Sequence, residues 1–269
     1  MSNSSTPSIL SESSSTTPEI VAPETVTPKA TSNVITPLIE QLTSGSFKQQ
    51  LSAITALQSL GEPGLGALID FVQSQVPLPL SAPSAAAVGK VHQILVQQAD
   101  QFSPAQALLE NELSQGPFAV QPDWSVDYQE LQQLLARQDY EAADRLTMQK
   151  LCELAGPDAL ARKWVYFTEA DRMPIADLLA LDQLWQAYSE NRFGFSRQRE
   201  IWLGVNQNWD RLWEKLAWKS GNIWTRYPGE FTWSLTAPAG HLPLSNQLRG
   251  VRMIAALFDH PAWKDTAAE

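Results

Sequence analysis

The sequence predicts an all-α protein: a disordered N-terminal tail, a small helical bundle, and a larger helical domain. Three observations predict it. Apolar residues recur every three or four positions through most of the chain, the spacing of one helix face. Gly/Pro turns interrupt these runs at helix-length intervals. The composition also shifts near Gly116-Pro117, because all ten tryptophans lie between Trp124 and Trp263. A chain of 269 residues has room for one large or two smaller domains with real cores.

Residues 1–36 hold sixteen Ser or Thr and four prolines (Pro7, Pro18, Pro23 and Pro28), with no aromatic residue. Such a stretch buries too little apolar area to offset its ordering entropy, so a disordered tail is expected. It does not read as a transit peptide, which is Arg-rich and poor in acids. The first thirty residues contain no Arg, a single Lys29, and the acids Glu12, Glu19 and Glu24.

Residues 37–116 read as a helical bundle. Leu38, Ile39 and Leu42 share a helical spacing, and Leu51, Ile54, Leu57 and Leu60 resume it after Ser44-Gly45-Ser46. Leu65, Leu68, Ile69 and Val72 follow the Gly61-Glu62-Pro63-Gly64 turn, and stretches at 84–100 and 104–114 complete the set. Short amphipathic helices alternating with turns resemble a HEAT or armadillo arrangement, although no clean repeat period is present. No chemical cluster stands out, so stability or partner contact is the expected role.

The second domain is placed at 120–263. Asp127 and Glu130 precede Leu131, Leu134 and Leu135 as an N-cap signature, and Asp139 caps a helix that ends at Gly156-Pro157. Pro174 suits the first turn of a helix carrying Leu178, Leu181, Leu184 and Trp185. Ser196 is expected to cap the next, Trp209–Trp218 a short one, and Ser245 to start a last helix running to about Asp259. Trp185, Trp202, Trp209 and Trp213 fall on helical periods and are expected in the core. Between Lys219 and Leu244 no helical period exists, yet Trp224, Tyr227, Phe231 and Trp233 crowd there. A long loop this rich in aromatics reads as functional rather than disordered.

Charge and cysteine content exclude several classes. The net charge of −10 argues against a general nucleic-acid binder, which wants a basic face. Cys152 is alone, so no internal disulfide forms and a reducing compartment is the natural setting. No run approaches the length of a membrane span. His92, His241 and His260 lack metal-ligand spacing, and no Gly-rich phosphate loop is present, so no catalytic or metal residue is identified.

Asp177-Leu178, Leu181-Asp182, Leu184-Trp185, Tyr188-Ser189, Phe193-Gly194-Phe195-Ser196, Gln198 and Ile201-Trp202 form a recognisable series. Trp224, Tyr227-Pro228, Glu230-Phe231, Trp233, Ala237-Pro238 and Gly240-His241-Leu242-Pro243 continue it. Ala142-Ala143-Asp144-Arg145-Leu146-Thr147 and Leu154-Ala155-Gly156 fit as well. This series, over about 124–263, resembles the genomes-uncoupled-four family. The helical N-terminal extension resembles its cyanobacterial members. Asn191 stands where the family has glycine, and Asn tolerates the left-handed conformation a turn there needs. Residues 157–172 depart from the plant sequences.

The resemblance implies a cupped-hand helical domain that binds protoporphyrin IX and magnesium protoporphyrin IX. It also implies an activator of magnesium chelatase in chlorophyll synthesis, with that enzyme's large porphyrin-binding subunit as partner, and not an enzyme. A monomer in a cyanobacterial cytoplasm or peripheral at the thylakoid membrane is expected ahead of the chloroplast stroma. A tetrapyrrole is a flat apolar disc with carboxylates at one edge, so its site needs aromatic walls and cations. Trp224, Tyr227, Phe231 and Trp233 supply one wall and Phe167 the opposite one. The resemblance adds Asn246, Arg249 and Arg252 for the carboxylates and places His241 near the ligand. Each has a structural alternative: core packing for the aromatics, a turn hydrogen bond for His241, and ion pairs with Glu230 or Asp259 for the arginines. The rival function is a ligand-free helical interaction module.

Overall fold

The computed structural model describes residues 28–245 and 250–264, with side chains from Asn33 onward. Five helices make the first bundle: α1 (Pro28–Ser44), α2 (Phe47–Ser59), α3 (Glu62–Gln75), α4 (Ala85–Gln98) and α5 (Ser103–Asn111). Helix α1 starts well before the expected position near Thr36. Ile35 and Leu38 pack against the core and Leu42 is fully buried, so one apolar face extends the helix backwards, and Pro28 is compatible with a first turn. The rest of the expected tail, residues 1–27, lies outside the described residues.

The second set comprises α6 (Gln129–Ala136), α7 (Tyr140–Ala155), α8 (Pro157–Arg162), α9 (Phe167–Ala170), α10 (Ile175–Ala187), α11 (Phe195–Gly204), α12 (Trp209–Lys215) and α13 (Arg252–Asp259). A two-residue hairpin, β1 (Lys219–Ser220) with β2 (Ile223–Trp224), pairs Lys219 with Trp224 and Ser220 with Ile223. The protein is therefore essentially all-helical, and none of its described helices is long and apolar enough to cross a membrane.

Capping follows the sequence in part. Asp139 accepts the Ala142 N–H at 3.1 Å, as expected for the start of α7. At α11 the expected cap, Ser196, lies one residue inside the helix, whose N-cap is Gly194. The buried Asp182 carboxylate, reaching across from α10, accepts the Ser196 N–H at 2.9 Å. Gly194 sits at φ +127, and a Cβ there would lie 2.6 Å from Asp182 Oδ1, so glycine is what lets the two meet.

Helix α4 ties the two sets together. Its Gln93 Nε2 donates to the carbonyls of Tyr188 (2.8 Å) and Leu135 (3.0 Å), beyond the ends of α10 and within α6 respectively. His92 Nδ1 lies 2.8 Å from the Tyr188 hydroxyl, and Tyr140 donates to the Tyr188 carbonyl at 2.8 Å. All four side chains are buried. Nearby, the segment after α3 pairs with the interdomain stretch: Leu78 donates to Pro117 (3.0 Å) and Ala119 to Leu78 (2.9 Å).

The tryptophan-rich core runs through Trp202, Trp209, Trp213 and Trp218, with Trp209 and Trp213 at 5.4 Å and Trp213 and Trp218 at 5.4 Å, both stacked. Phe258 of α13 closes the row, 5.5 Å from Trp202. Trp185 is fully buried and donates to Thr147 Oγ1 at 2.9 Å.

Helix α4 approaches α10 so closely that a Cβ on Gly89 would lie 2.2 Å from the Ala187 carbonyl oxygen. Gly89→Ala is expected to destabilise the fold by about 1–3 kcal/mol through this overlap. Thermal unfolding checks it; an unchanged melting temperature would mean that the helices separate without cost.

Candidate functional site

Arg145 and Gln149 lie on the exposed side of α7. Tyr140 at the helix start and Thr147 at its middle are bonded to the α10 region, which fixes the rotation of α7. Arg145, Met148, Gln149 and Cys152 then line a cavity of about 380 Å³, closed by Leu160 and Lys163 of the α8 turn. Burial pushes the Cys152 thiol pKa up, so this is a poor nucleophile.

A first aromatic cluster is the segment Trp164–Phe167. Arg162 fixes it, with Nη2 at 2.8 and 2.7 Å from the two Glu169 carboxylate oxygens and its guanidinium 4.4 Å from the Tyr166 ring centroid. Tyr166 is 44% and Phe167 38% exposed, high values for residues so rigidly held. Arg252, the first residue of α13, places its guanidinium 5.5 Å from the Phe167 centroid. Between this segment and Gly250, Arg252 and Met253 lies a second cavity of about 300 Å³. Arg252 makes no ion pair with Glu230 or Asp259 among the described residues; Glu230 accepts from the Arg226 N–H instead. A cation at the first turn of a helix opposes the helix dipole, and both the cation and the free N–H groups favour an anion there.

A second ring cluster comes from the long loop. Tyr227 lies 5.9 Å from Trp233 and 6.4 Å from Phe231. Tyr227 is 51% exposed, whereas Phe231 is buried. Trp233 donates to the Pro228 carbonyl at 3.0 Å, which holds the loop against itself. Burial, then the Asp144 charge, raises the pKa of Tyr227.

Several sequence expectations change here. The last helix begins at Arg252 rather than Ser245, since Gly250 takes φ +96 and breaks any helix through it. Asn246 and Arg249 lie outside the described residues. His241 is buried with both ring nitrogens used: the Thr232 N–H donates to Nε2 at 3.1 Å, leaving Nδ1–H for the Leu216 carbonyl at 2.6 Å. It supports the buried Phe231, 5.4 Å away, and offers no nitrogen to a ligand or its magnesium. Trp224 packs on Trp213 at 5.9 Å, with Lys219 Nζ 5.5 Å from its ring, as part of the tryptophan row. Thus Phe167 joins Arg252, and Tyr227 joins Phe231, Trp233 and His241.

Tyr166, Arg145, Met148, Lys163 and Met253 line this surface without having been singled out. Arg145, Met148 and Cys152 recur at helical spacing on α7, a signal the sequence carries, although Cys152 is itself buried. Among the described residues, no group of three or more His, Cys, Asp or Glu is placed to hold a metal ion.

Comparison with known proteins agrees with this architecture. A family model described as GUN4-like matches residues 121–261, and one described as an ARM-like repeat domain, GUN4-N terminal, matches residues 26–112. The Ycf53-like protein of Synechocystis sp. is 46% identical over 232 residues, covering 86% of this chain and 97% of that protein. The chloroplastic tetrapyrrole-binding protein of Arabidopsis thaliana is 36% identical over 142 residues, 49% of this chain and 54% of its own. The structure of GUN4 from Chlamydomonas reinhardtii superposes with a TM-score of 0.51 at 38% identity, covering 54% of this chain and 95% of that one.

Asp144, on α7, holds the chain entering the site: its Oδ1 accepts the Leu244 N–H at 2.6 Å. Burial is the main cause that raises its pKa to about 7, against the hydrogen bond and Arg145. The folded state therefore keeps a proton that the unfolded chain releases near pH 4. This contribution to stability is full below about pH 4 and is lost as pH rises towards 7. Asp182, raised to about 6 by burial, acts in the same direction. Asp144→Asn keeps an acceptor for Leu244 and is expected to raise stability at pH 8 relative to pH 4, by up to roughly 1.4 kcal/mol per pH unit of that window. Melting curves at both pH values check it, and an unaltered pH slope would assign the titration elsewhere.

Proposed function

The chain belongs to the GUN4-like family, and we propose that it binds protoporphyrin IX and magnesium protoporphyrin IX on the concave face over α7 and stimulates magnesium chelatase. The observation that carries the reading is a pair of aromatic clusters, the exposed Tyr166 and Phe167 with Arg252 beside them, and the exposed Tyr227 on the half-buried Trp233. Exposed rings held by fixed neighbours suit a flat apolar ligand, and the cation suits its carboxylate edge. The name of the Arabidopsis relative supports the same ligand class.

In this reading Phe231 and His241 back one wall and Trp224 backs the tryptophan row, while Phe167, Tyr227 and Trp233 face the ring. Asn246 and Arg249 join Arg252 at the carboxylates on the strength of the family resemblance. The chain acts as carrier and activator, as a monomer in the cytoplasm or at the thylakoid surface. Metal insertion belongs to the chelatase, reached through its large porphyrin-binding subunit. Residues 37–116 serve as a supporting bundle and 120–263 as the binding domain.

Burying about 400 Å² of ring at roughly 25 cal/mol per Å² gives on the order of 10 kcal/mol gross, which association costs reduce to about micromolar affinity. Quenching of tryptophan emission by protoporphyrin measures it. Phe167→Ala and Tyr227→Ala are each expected to weaken binding about tenfold, as loss of part of a buried ring implies. Arg252→Ala is expected to weaken it by a similar factor or less, given solvent screening, with no loss of thermal stability. Chelatase stimulation should fall in parallel. Full stimulation without any porphyrin binding would instead establish the ligand-free interaction module.

A further inference from the structure

We propose, resting on the porphyrin reading, that Glu169 and Arg162 are positioning residues: they hold the Tyr166 ring in the orientation on which a tetrapyrrole stacks, and neither touches the ligand. Tyr166 is 44% exposed, yet its neighbours leave it little freedom. Its backbone N–H donates to Glu169 Oε2 at 2.8 Å, the reach-back contact of an acid at the third position of a helix. The same carboxylate accepts Arg162 Nη2 through both oxygens, at 2.8 and 2.7 Å. Arg162 then lies over the Tyr166 ring, 4.4 Å from its centroid, and 5.3 Å from that of Trp164. The Trp164 ring meets Tyr166 at 4.2 Å, edge on. One carboxylate therefore holds both parts of Tyr166, the backbone directly and the ring through the guanidinium.

The place of this clasp points to a ligand role. Trp164, Val165, Tyr166 and Phe167 line the cavity of about 300 Å³ that Gly250, Arg252 and Met253 complete, so the ring it holds belongs to the proposed site. Val165 is buried and anchors the backbone just before the two exposed rings. Ordering an exposed side chain costs entropy that folding recovers only through burial, whereas a ligand that stacks on a ring already ordered is spared that cost. Arg162 is engaged by Glu169, and the cation that lines the cavity is Arg252. The carboxylate edge of the ligand is thus left to Arg252, and Arg162 acts through Tyr166. A purely local role for Glu169, capping the short α9, predicts a different response to substitution.

The test uses the full chain and two probes, protoporphyrin IX and its uncharged dimethyl ester, with dissociation constants read by tryptophan quenching. Glu169→Gln keeps an acceptor for the Tyr166 N–H, since glutamine serves at that helix position, and removes the charge that holds Arg162. Its melting temperature is expected to hold while both probes bind roughly two- to tenfold more weakly, the cost of ordering one side chain on binding. Arg162→Lys keeps the charge, loses the fork and the planar contact, and is expected to give the same loss for both probes. In a Tyr166→Ala background either change is expected to have no further effect. Raising salt from about 10 mM to about 1 M should narrow the gap between wild type and Glu169→Gln for the ester, because only the wild type has that ion pair to screen. A loss confined to the diacid would make Arg162 a carboxylate contact, and a loss that persists in Tyr166→Ala would make the pair a scaffold element; either overturns the inference. So does unchanged affinity in both variants. Each of these leaves the porphyrin reading standing, whereas a wild type that binds neither probe overturns that reading and the inference with it.

Discussion

The carbonyl of Tyr188, just past the end of α10, is the point on which the arrangement depends. It accepts both the Gln93 amide of α4 and the Tyr140 hydroxyl at the start of α7, each at 2.8 Å. A buried carbonyl stripped of these donors would cost on the order of 1–3 kcal/mol, so three helices are drawn to one place. Tyr188 contributes from its other end too, with its hydroxyl between His92 (2.8 Å) and Gln132 (3.2 Å). Burial lowers the pKa of His92 to about 4, which keeps it neutral in this apolar setting at physiological pH. The first bundle is thus built into the second domain, and the close approach at Gly89 is its steric counterpart.

From that point the site follows by geometry. With Tyr140 fixed at its first turn and Thr147 bonded to Trp185 two turns later, α7 cannot rotate. Asp144 then faces inward to hold Leu244, while Arg145, the next residue, faces the cavity. Neighbours on a helix differ by about 100° in direction, so one residue serves the scaffold and the next the surface. The same helix lines the cavity and holds the backbone at Leu244.

Much of this was legible in the sequence because it rests on local patterns. Helical periods located the five helices of the first bundle, Asp139 announced α7, and Gly156 its end. Asn191, standing in for a family glycine, takes φ 57, the left-handed conformation that makes the replacement tolerable. What escaped depends on contacts distant in sequence. The cap of α11 comes from Asp182, fourteen residues away, which no local rule points to. His241 reads as a ligand candidate until Thr232 and Leu216 are seen to occupy both nitrogens. The break at Gly250 separates Arg252 from the helix turn that periodicity alone would extend back to Ser245.

The two walls solve a common problem in different ways. An exposed aromatic ring that must be ordered on binding loses affinity to side-chain and loop entropy. Tyr166 is ordered in advance: Arg162 lies over its ring, and Glu169 clasps both Arg162 and the Tyr166 N–H, the latter at 2.8 Å. Burial works against the Glu169 charge, but these hydrogen bonds outweigh it and lower its pKa, so the clasp stays ionised. Tyr227 is ordered by packing on Trp233, which is pinned to Pro228, and on Phe231, which rests on His241. One wall is held by charge and the other by stacked rings over a doubly bonded imidazole. Salt weakens the first kind of support far more than the second, because exposed ion pairs are screened and buried ring contacts are not. Both exposed tyrosines are therefore held by their own neighbours, and in the proposed role little of the binding energy goes to ordering them.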